Sequence, residues 1–316
     1  MLSRSGQQSL MYYSAGKNFC IGIIYLEGNF IYMCSSYSPS AVVVAHPGHE
    51  IRIHGWLGSM RPRVFILTDG SGRVGKSRLD FTTAYLAEMS LKHGSIYGRL
   101  TDSEIYTALL NHDFALFLRL ADEMAESFAL EGVETVAGDA TEGYHPSHDV
   151  CRLLINTAVL MLKRDVDGVI RNLDFPVVNA PDVCPQELRD SALWLTLDEN
   201  SFEQKIAAAR KYYPELVAEM ASALDGTGDG PVKNFLELRE KADAAGVLRG
   251  LDMFRIECLR PVDQETRDDV WLRERPFYEP RGEREVAAGH FDRVIRYREH
   301  LRPLEDALRE HVERSA

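Results

Sequence analysis

The residues of this 316-residue chain best suited to chemistry are histidines, and they are unevenly spread. Ala45-His46-Pro47-Gly48-His49-Glu50 puts two imidazoles and a carboxylate into one short turn. Gly143-Tyr144-His145-Pro146-Ser147-His148-Asp149 repeats the His-Pro-x-His spacing far downstream, so four of the ten histidines fall in two similar elements. Neutral imidazoles bind Zn²⁺ or Fe²⁺ readily, and a neighbouring carboxylate can take a proton from a water acidified by the cation. One such turn fits surface histidines equally well. The pair points to one divalent ion, best matched by zinc. His54, His93, His112, His290, His300 and His311 are isolated and fit solvated or hydrogen-bonded roles.

The elements around these turns suggest how they would meet. Ala41–Ala45 and Arg63–Thr68 are continuous apolar runs rich in β-branched residues, as expected of strands buried on both faces of a parallel sheet. A helix is expected over Leu79–Leu91, a mainly helical stretch over Ile105–Leu130, a short strand at Val133–Ala137 and a buried helix at Val150–Leu162. This alternation predicts an α/β fold, a Rossmann-like doubly wound, mostly parallel sheet with helices on both faces. Ligands of such sheets gather at the carboxyl ends of the strands, where both histidine turns would sit. Beyond LWLTL at 193–197, helices are expected over Phe202–Leu224 and Val232–Ala245, with DGTGDG at 225–230 between them. Met253–Leu259 suits a strand and Val286–Val312 a closing helix. The expected organisation is an N-terminal extension at 1–40, outside the main fold except for a loose hairpin of IGIIYL and FIYM, a metal-binding core at 41–200, and a mainly helical part at 201–316 packed on it.

Composition narrows the partners. Lys plus Arg total 36 against 48 Asp plus Glu, a formal charge of −12, which repels phosphate backbones and anionic lipid headgroups. No nucleic acid and no membrane partner is therefore expected. A small-molecule substrate is, and a homo-oligomer is compatible with the composition. Five cysteines without CxxC spacing fit a cytoplasmic protein rather than a disulfide framework.

A second motif competes. Gly70-Ser-Gly-Arg-Val-Gly75-Lys76-Ser77 matches GxxxxGK[ST] between an expected strand and an expected helix, the setting of a phosphate-binding loop. On that reading Lys76 would reach phosphates, Ser77 would hold Mg²⁺, and the chain would be a P-loop phosphotransferase. It leaves the paired histidine turns unexplained.

The two histidine turns resemble the signatures of the LmbE-like (PIG-L-type) metal-dependent de-N-acetylases, AHPDDE after the first strand and HPDH after a later one. Here they stand as AHPGHE (45–50) and HPSH (145–148), and LTDGSG (67–72) is similar to that family's TxG turn. The resemblance covers about residues 41–165 and implies removal of an N-acyl group from an amino sugar or related metabolite. It implies His46 and His148 as metal ligands, His49 as a ligand in place of an Asp, His145 as the imidazole assisting the tetrahedral intermediate, and Arg78, with Tyr144, as substrate contacts. The general-base Asp of the family is Gly48 here, which cannot abstract a proton. The expected base is therefore Glu50 or Asp69, with Asp139 and Glu142 as further carboxylates near the mouth. Without a base, the chain would be a degenerate homologue that binds a sugar and does not cleave it.

Overall fold

The structure is a computed structural model and describes residues 11–14, 20–26, 29–33, 38–72, 75–165, 169–214, 250–263 and 274–315. The chain divides into two compact units, Met1–Ser38 and Pro39–Ala316. In the first, β1 (Met11–Ser14), β2 (Cys20–Leu26) and β3 (Asn29–Met33) form an antiparallel sheet in that order, and its β2–β3 pairing joins the two apolar runs expected to make a hairpin.

The second unit is built on a seven-stranded sheet. Its parallel part comprises β4 (Ser40–Val44), β5 (Arg63–Thr68), β6 (Lys92–Leu100), β7 (Thr135–Asp139) and β8 (Arg171–Phe175), paired in the order β6-β5-β4-β7-β8. Two antiparallel strands complete it beyond β8: β9 (Leu193–Thr196) at the edge and β10 (Ile256–Pro261) between β8 and β9. The chain leaves β4 toward β5 on one side, while β7 lies on the other side of β4. The strand order reverses there, and the crevice outside such a switch point is where doubly wound sheets bind ligands.

The period-two pattern of β4 explains the layers. Ala41, Val43 and Ala45 belong to one buried cluster, with residues of α3 (Asp102–Leu110), α4 (Phe114–Glu131), α5 (Pro146–Asp165) and α8 (Arg302–Arg314). Val42 and Val44 belong to another, with α1 (His54–Met60), α2 (Leu79–Glu88) and α6 (Glu199–Tyr212). Both faces are covered, so the strand must be apolar throughout rather than alternating.

Several expected boundaries change. The stretch expected to be mainly helical over 105–130 is two helices, because α3 starts earlier, at a capping box of Thr101 and Glu104, and ends before His112, whose φ is 55°. The closing segment is also divided. The helix α7 (Tyr278–Ala287) stops before Gly289, at φ 74°, and a π turn at Tyr297–Leu301 leads into α8, which has a proline in its first turn. A left-handed glycine ends a helix, and proline suits a first turn but not an interior. Residues 201–316 also send β10 into the sheet, so they are part of its framework. The helices expected over 215–224 and Val232–Ala245, with the DGTGDG segment, lie outside the described residues. No described helix is long and apolar enough to cross a membrane.

Candidate metal centre

The two histidine turns meet where the topology places them. After β4 the chain bends through Gly48 into a short 3-10 helix, His49–Ile53; after β7 it returns through Gly143 to enter α5 at Pro146. His148 lies in the first turn of α5 and His145 just before it. One nitrogen from each of His46, His145 and His148 lies within 4.8 Å of the other two. His46 Nε2 is 3.3 Å from His145 Nδ1. The ring of His49 is close, 4.6 Å between centroids from His148 and 5.2 Å from His46, but His49 falls outside that set of three.

Each imidazole has a backing that fixes its use. His46 Nδ1 is 3.0 Å from the Asp102 carboxylate and 2.8 Å from Thr68 Oγ1, so it carries the proton and Nε2 keeps a lone pair. His49 Nδ1 likewise donates to Asp139 Oδ2 at 2.8 Å, an oxygen that also accepts the Ala45 amide. Tyr106 Oη is 2.5 Å from His145 Nε2. His148 Nδ1 is buried and has no hydrogen-bond partner among the described residues.

Burial dominates the electrostatics. It pushes the pKa values of His46, His145 and His148 down, those of His145 and His148 strongly, so these rings are neutral. Burial alone would raise the Asp102 carboxyl, but its contacts with His46, Gly72 and Thr68 outweigh this and hold it well below the usual range. Burial also raises the Tyr106 phenol, helped by Asp102, so it keeps its proton.

These groups fit a divalent cation. Two nitrogens on one tetrahedral zinc, with bonds of about 2.0–2.1 Å, stand about 3.3 Å apart. The His46–His145 separation agrees. His148 adds a third nitrogen, within 4.8 Å of those of His46 and His145. Among the described residues the buried carboxylates of Asp102 and Asp139 form ion pairs with imidazoles, and the Arg152 charge also acts on Asp139 from its bond to the Asp139 carbonyl. Buried charge of that kind is costly unless paired, and an ion on the imidazoles supplies the pairing.

The carboxylates expected to serve as base are engaged elsewhere. Glu50 is fully buried; it accepts the Gly48 amide at 2.8 Å, the Thr82 hydroxyl at 3.0 Å and the Tyr213 hydroxyl, and none of its partners is an imidazole. It therefore shapes the turn and ties it to α2 and the end of α6. Asp69 caps its own turn through the Ser71 amide at 2.9 Å. Glu142 receives the amides of Val177, Val178 and Asn179, each at 2.8 Å, and so holds the loop after β8. Asp139 is the carboxylate that does reach the cluster.

Arg78 and Tyr144 both lie beside the cluster. The Arg78 charge acts on His46 and His148, and the Tyr144 ring is 6.4 Å from that of His148.

Among its described residues, the phosphate-loop motif offers no cradle of free amides. The amides of Gly70, Ser71 and Gly72 are donated to Thr68 Oγ1, Asp69 Oδ1 and Asp102 Oδ2, and that of Gly75 to the Ser71 carbonyl. Lys76 and Ser77 are exposed, and α2 begins only at Leu79. A bound phosphate needs those amides free and converging, whereas here two carboxylates take two of them.

Gly48 also shows why no side chain stands at the position of the missing base. Its φ is 106°, and a Cβ there would meet Tyr213 Cδ1 at 3.2 Å. Gly48→Asp is therefore expected to lower stability by about 1–3 kcal/mol and to bring no gain in hydrolysis. Thermal denaturation and a rate assay check this together. An equally stable, faster variant would show that the turn accepts a carboxylate.

Two residues at the centre, Asp102 and Tyr106, were missed by sequence reasoning. The usable signal was Thr101-Asp-Ser-Glu104, a capping-box pattern that starts α3 at Asp102. Four residues on, Tyr106 then shares a helix face with Asp102, and the two reach His46 and His145 respectively.

No protein-family model matches the chain, and no curated protein matches it. Similar solved structures include the A40926 pseudoaglycone deacetylase Dbv21, with a TM-score of 0.46 and 21% identity over 74% of this chain and 100% of that one. The zinc-inhibited form of the teicoplanin deacetylase Orf2 gives a TM-score of 0.44 and 16% identity over 73% and 99% of the two chains. The conserved protein TT1542 from Thermus thermophilus gives a TM-score of 0.44 and 16% identity over 73% and 97%.

Proposed function

We propose that this chain is a metal-dependent hydrolase that removes an N-acyl group from an amino sugar or a similar small metabolite. The observation that carries the metal reading is the convergence of His46, His145 and His148 nitrogens within 4.8 Å, with buried carboxylates behind His46 and the adjacent His49. The N-acyl specificity rests on the paired AHPGHE and HPSH turns, whose resemblance to the de-N-acetylase signatures is described above.

His46, His145 and His148 would hold the ion, and an all-nitrogen set of this size suits zinc with an open position. When bound, the cation supplies Lewis acidity, lowering the pKa of a water and polarising the acyl carbonyl. As a ligand through Nδ1, His145 would carry its proton on Nε2 and donate it to Tyr106. His49 is the proposed base: with Nδ1–H committed to Asp139, its Nε2 lone pair can take a proton from the attacking water. Asp139 stabilises the imidazolium that results, and His49 can return the proton to the leaving amine. This dyad replaces the carboxylate that Gly48 cannot supply. Arg78 and Tyr144 remain the proposed substrate contacts.

The test is metal analysis of purified protein combined with deacetylation of a panel of N-acetyl amino sugars. About one divalent ion per chain is expected, lost together with activity in the His46→Ala, His148→Ala double variant. Full occupancy in that variant would remove the site. A metal-loaded protein that cleaves nothing in a broad panel would remove the activity.

A further inference from the structure

The wall beside His145 and His148 carries a charge that hydrolysis of an N-acyl group does not require. Tyr278 at the start of α7 donates its amide to the Gly143 carbonyl at 3.2 Å, docking that helix on the second histidine turn. Phe277 then stacks on Tyr144, with centroids 5.4 Å apart and planes at 16°. The Arg281 guanidinium lies over the Tyr144 ring, 5.8 Å from its centroid. On the same helix Glu279 and Glu283 are engaged by Arg275 and Arg296. Arg281 is exposed, and among the described residues no carboxylate pairs with it.

A second guanidinium stands on the side of His46 and His148. Arg78 is half-buried and donates Nε–H to the Gly70 carbonyl at 2.8 Å; a Cβ on Gly70 would come within 2.8 Å of both Arg78 Nε and Pro47 Cδ. It too lacks a carboxylate partner among the described residues. Arg78 disfavours protonation of His46 and His148, and Arg281 does the same for His145. In a chain of net charge −12, these two arginines, without acidic partners among the described residues, both stand beside the histidine cluster.

We infer that the substrate carries an oxyanion, a carboxylate or a phosphate monoester, beside its N-acyl group, and that Arg281 holds this anion next to the Tyr144–Phe277 pair. The inference rests on the hydrolase reading for the reaction but not for the binding. Guanidinium pairs with either oxyanion through parallel hydrogen bonds.

The experiment compares metal-loaded protein acting on three N-acetylglucosamine derivatives: the 1-phosphate, the carboxymethyl glycoside and the neutral methyl glycoside. At least one anionic compound is expected to exceed the methyl glycoside in kcat/KM by about tenfold or more, mainly through KM, with the advantage shrinking as salt rises. Whichever anion shows the advantage identifies the source. Arg281→Gln should reduce the ratio to below about twofold, and Arg281→Lys should restore part of it. Equal kcat/KM for neutral and anionic compounds would overturn the inference and leave the hydrolase reading standing. An anion preference unchanged in Arg281→Gln would overturn the assignment to Arg281. If none of the three is cleaved, calorimetric binding decides. Anion-dependent binding lost in Arg281→Gln supports the subsite while the hydrolase reading fails, and no binding overturns it.

Discussion

Replacing His49 with Gln is expected to leave the divalent ion in place and to lower kcat by about 100- to 10,000-fold, the usual worth of a positioned general base. The expectation comes from the Asp139 contact. A carboxylate that accepts Nδ1–H fixes the tautomer with Nε2 free, and Oδ2 is itself fixed by the Ala45 amide, so the ring has little rotational freedom. Asp139→Asn should cost less, about 10- to 100-fold, since the ring remains but loses its orientation and the charge behind it. Glu50→Gln is the contrasting variant. Its carboxylate receives an amide and two hydroxyls, and a neutral amide placed there replaces charge-assisted hydrogen bonds with weaker ones and makes both hydroxyls reorient. Stability should fall by about 1–3 kcal/mol while kcat in the folded fraction changes little. Metal content read alongside kcat separates the assignments. If His49→Gln releases the ion, His49 joins the ligand set and His145 becomes the free imidazole. If Glu50→Gln abolishes turnover with stability intact, the base is Glu50.

The parts of this site that were legible in sequence are those written in apolar runs and in the histidine spacing. The runs at 41–45 and 63–68 had to be buried on both faces, and β4 and β5 are. The His-Pro-x-His elements directly after strands then placed both turns at the carboxyl edge of the sheet. β6 and β8 were not legible. Their residues, KHGSIYGRL and RNLDF, mix charged, polar and glycine positions. β6 tolerates this as an edge strand with an irregular register against β5, and β8 because Arg152 of α5 binds Asn172 Oδ1 and the Leu173 carbonyl at its polar positions. Roles within the cluster were less legible than its membership. Glu50 follows His49 in sequence, which made it look available, yet the 3-10 turn carries it to Thr82 and Tyr213. Asp102 lies far from both turns in sequence and reaches His46 only because β5 and α3 bring it there. Side-chain pairing of this kind depends on three-dimensional register, which local pattern does not encode.

Protein stripped of divalent ions is expected to lose stability steeply as pH falls below about 6.5. Burial lowers the pKa values of His46, His145 and His148 in the folded chain, while the unfolded chain keeps the ordinary imidazole value. As pH falls through about 6.5 the unfolded state therefore binds protons first and is favoured; the stability these neutral rings confer is complete above that pH and is lost toward the folded pKa values. Each proton contributes at most about 1.4 kcal/mol per pH unit, so the three together give a slope of up to about 4 kcal/mol per unit. His54, also lowered by burial, adds in the same direction. Glu50 acts oppositely, because burial raises its carboxyl and its contribution is lost as pH rises above its ordinary range. Comparing the metal-free protein with metal-free His148→Gln cancels both of these background groups. The variant's stability, measured by denaturant titration between about pH 7.5 and 5.5, should fall less steeply by about one proton's worth of slope. Metal-loaded wild type should hold its stability further into acid, because the bound cation excludes protons from the ligand nitrogens until it is displaced. If the two metal-free proteins have parallel pH profiles, His148 is protonated or solvent-accessible in the fold, and it cannot be the buried neutral ligand this centre requires.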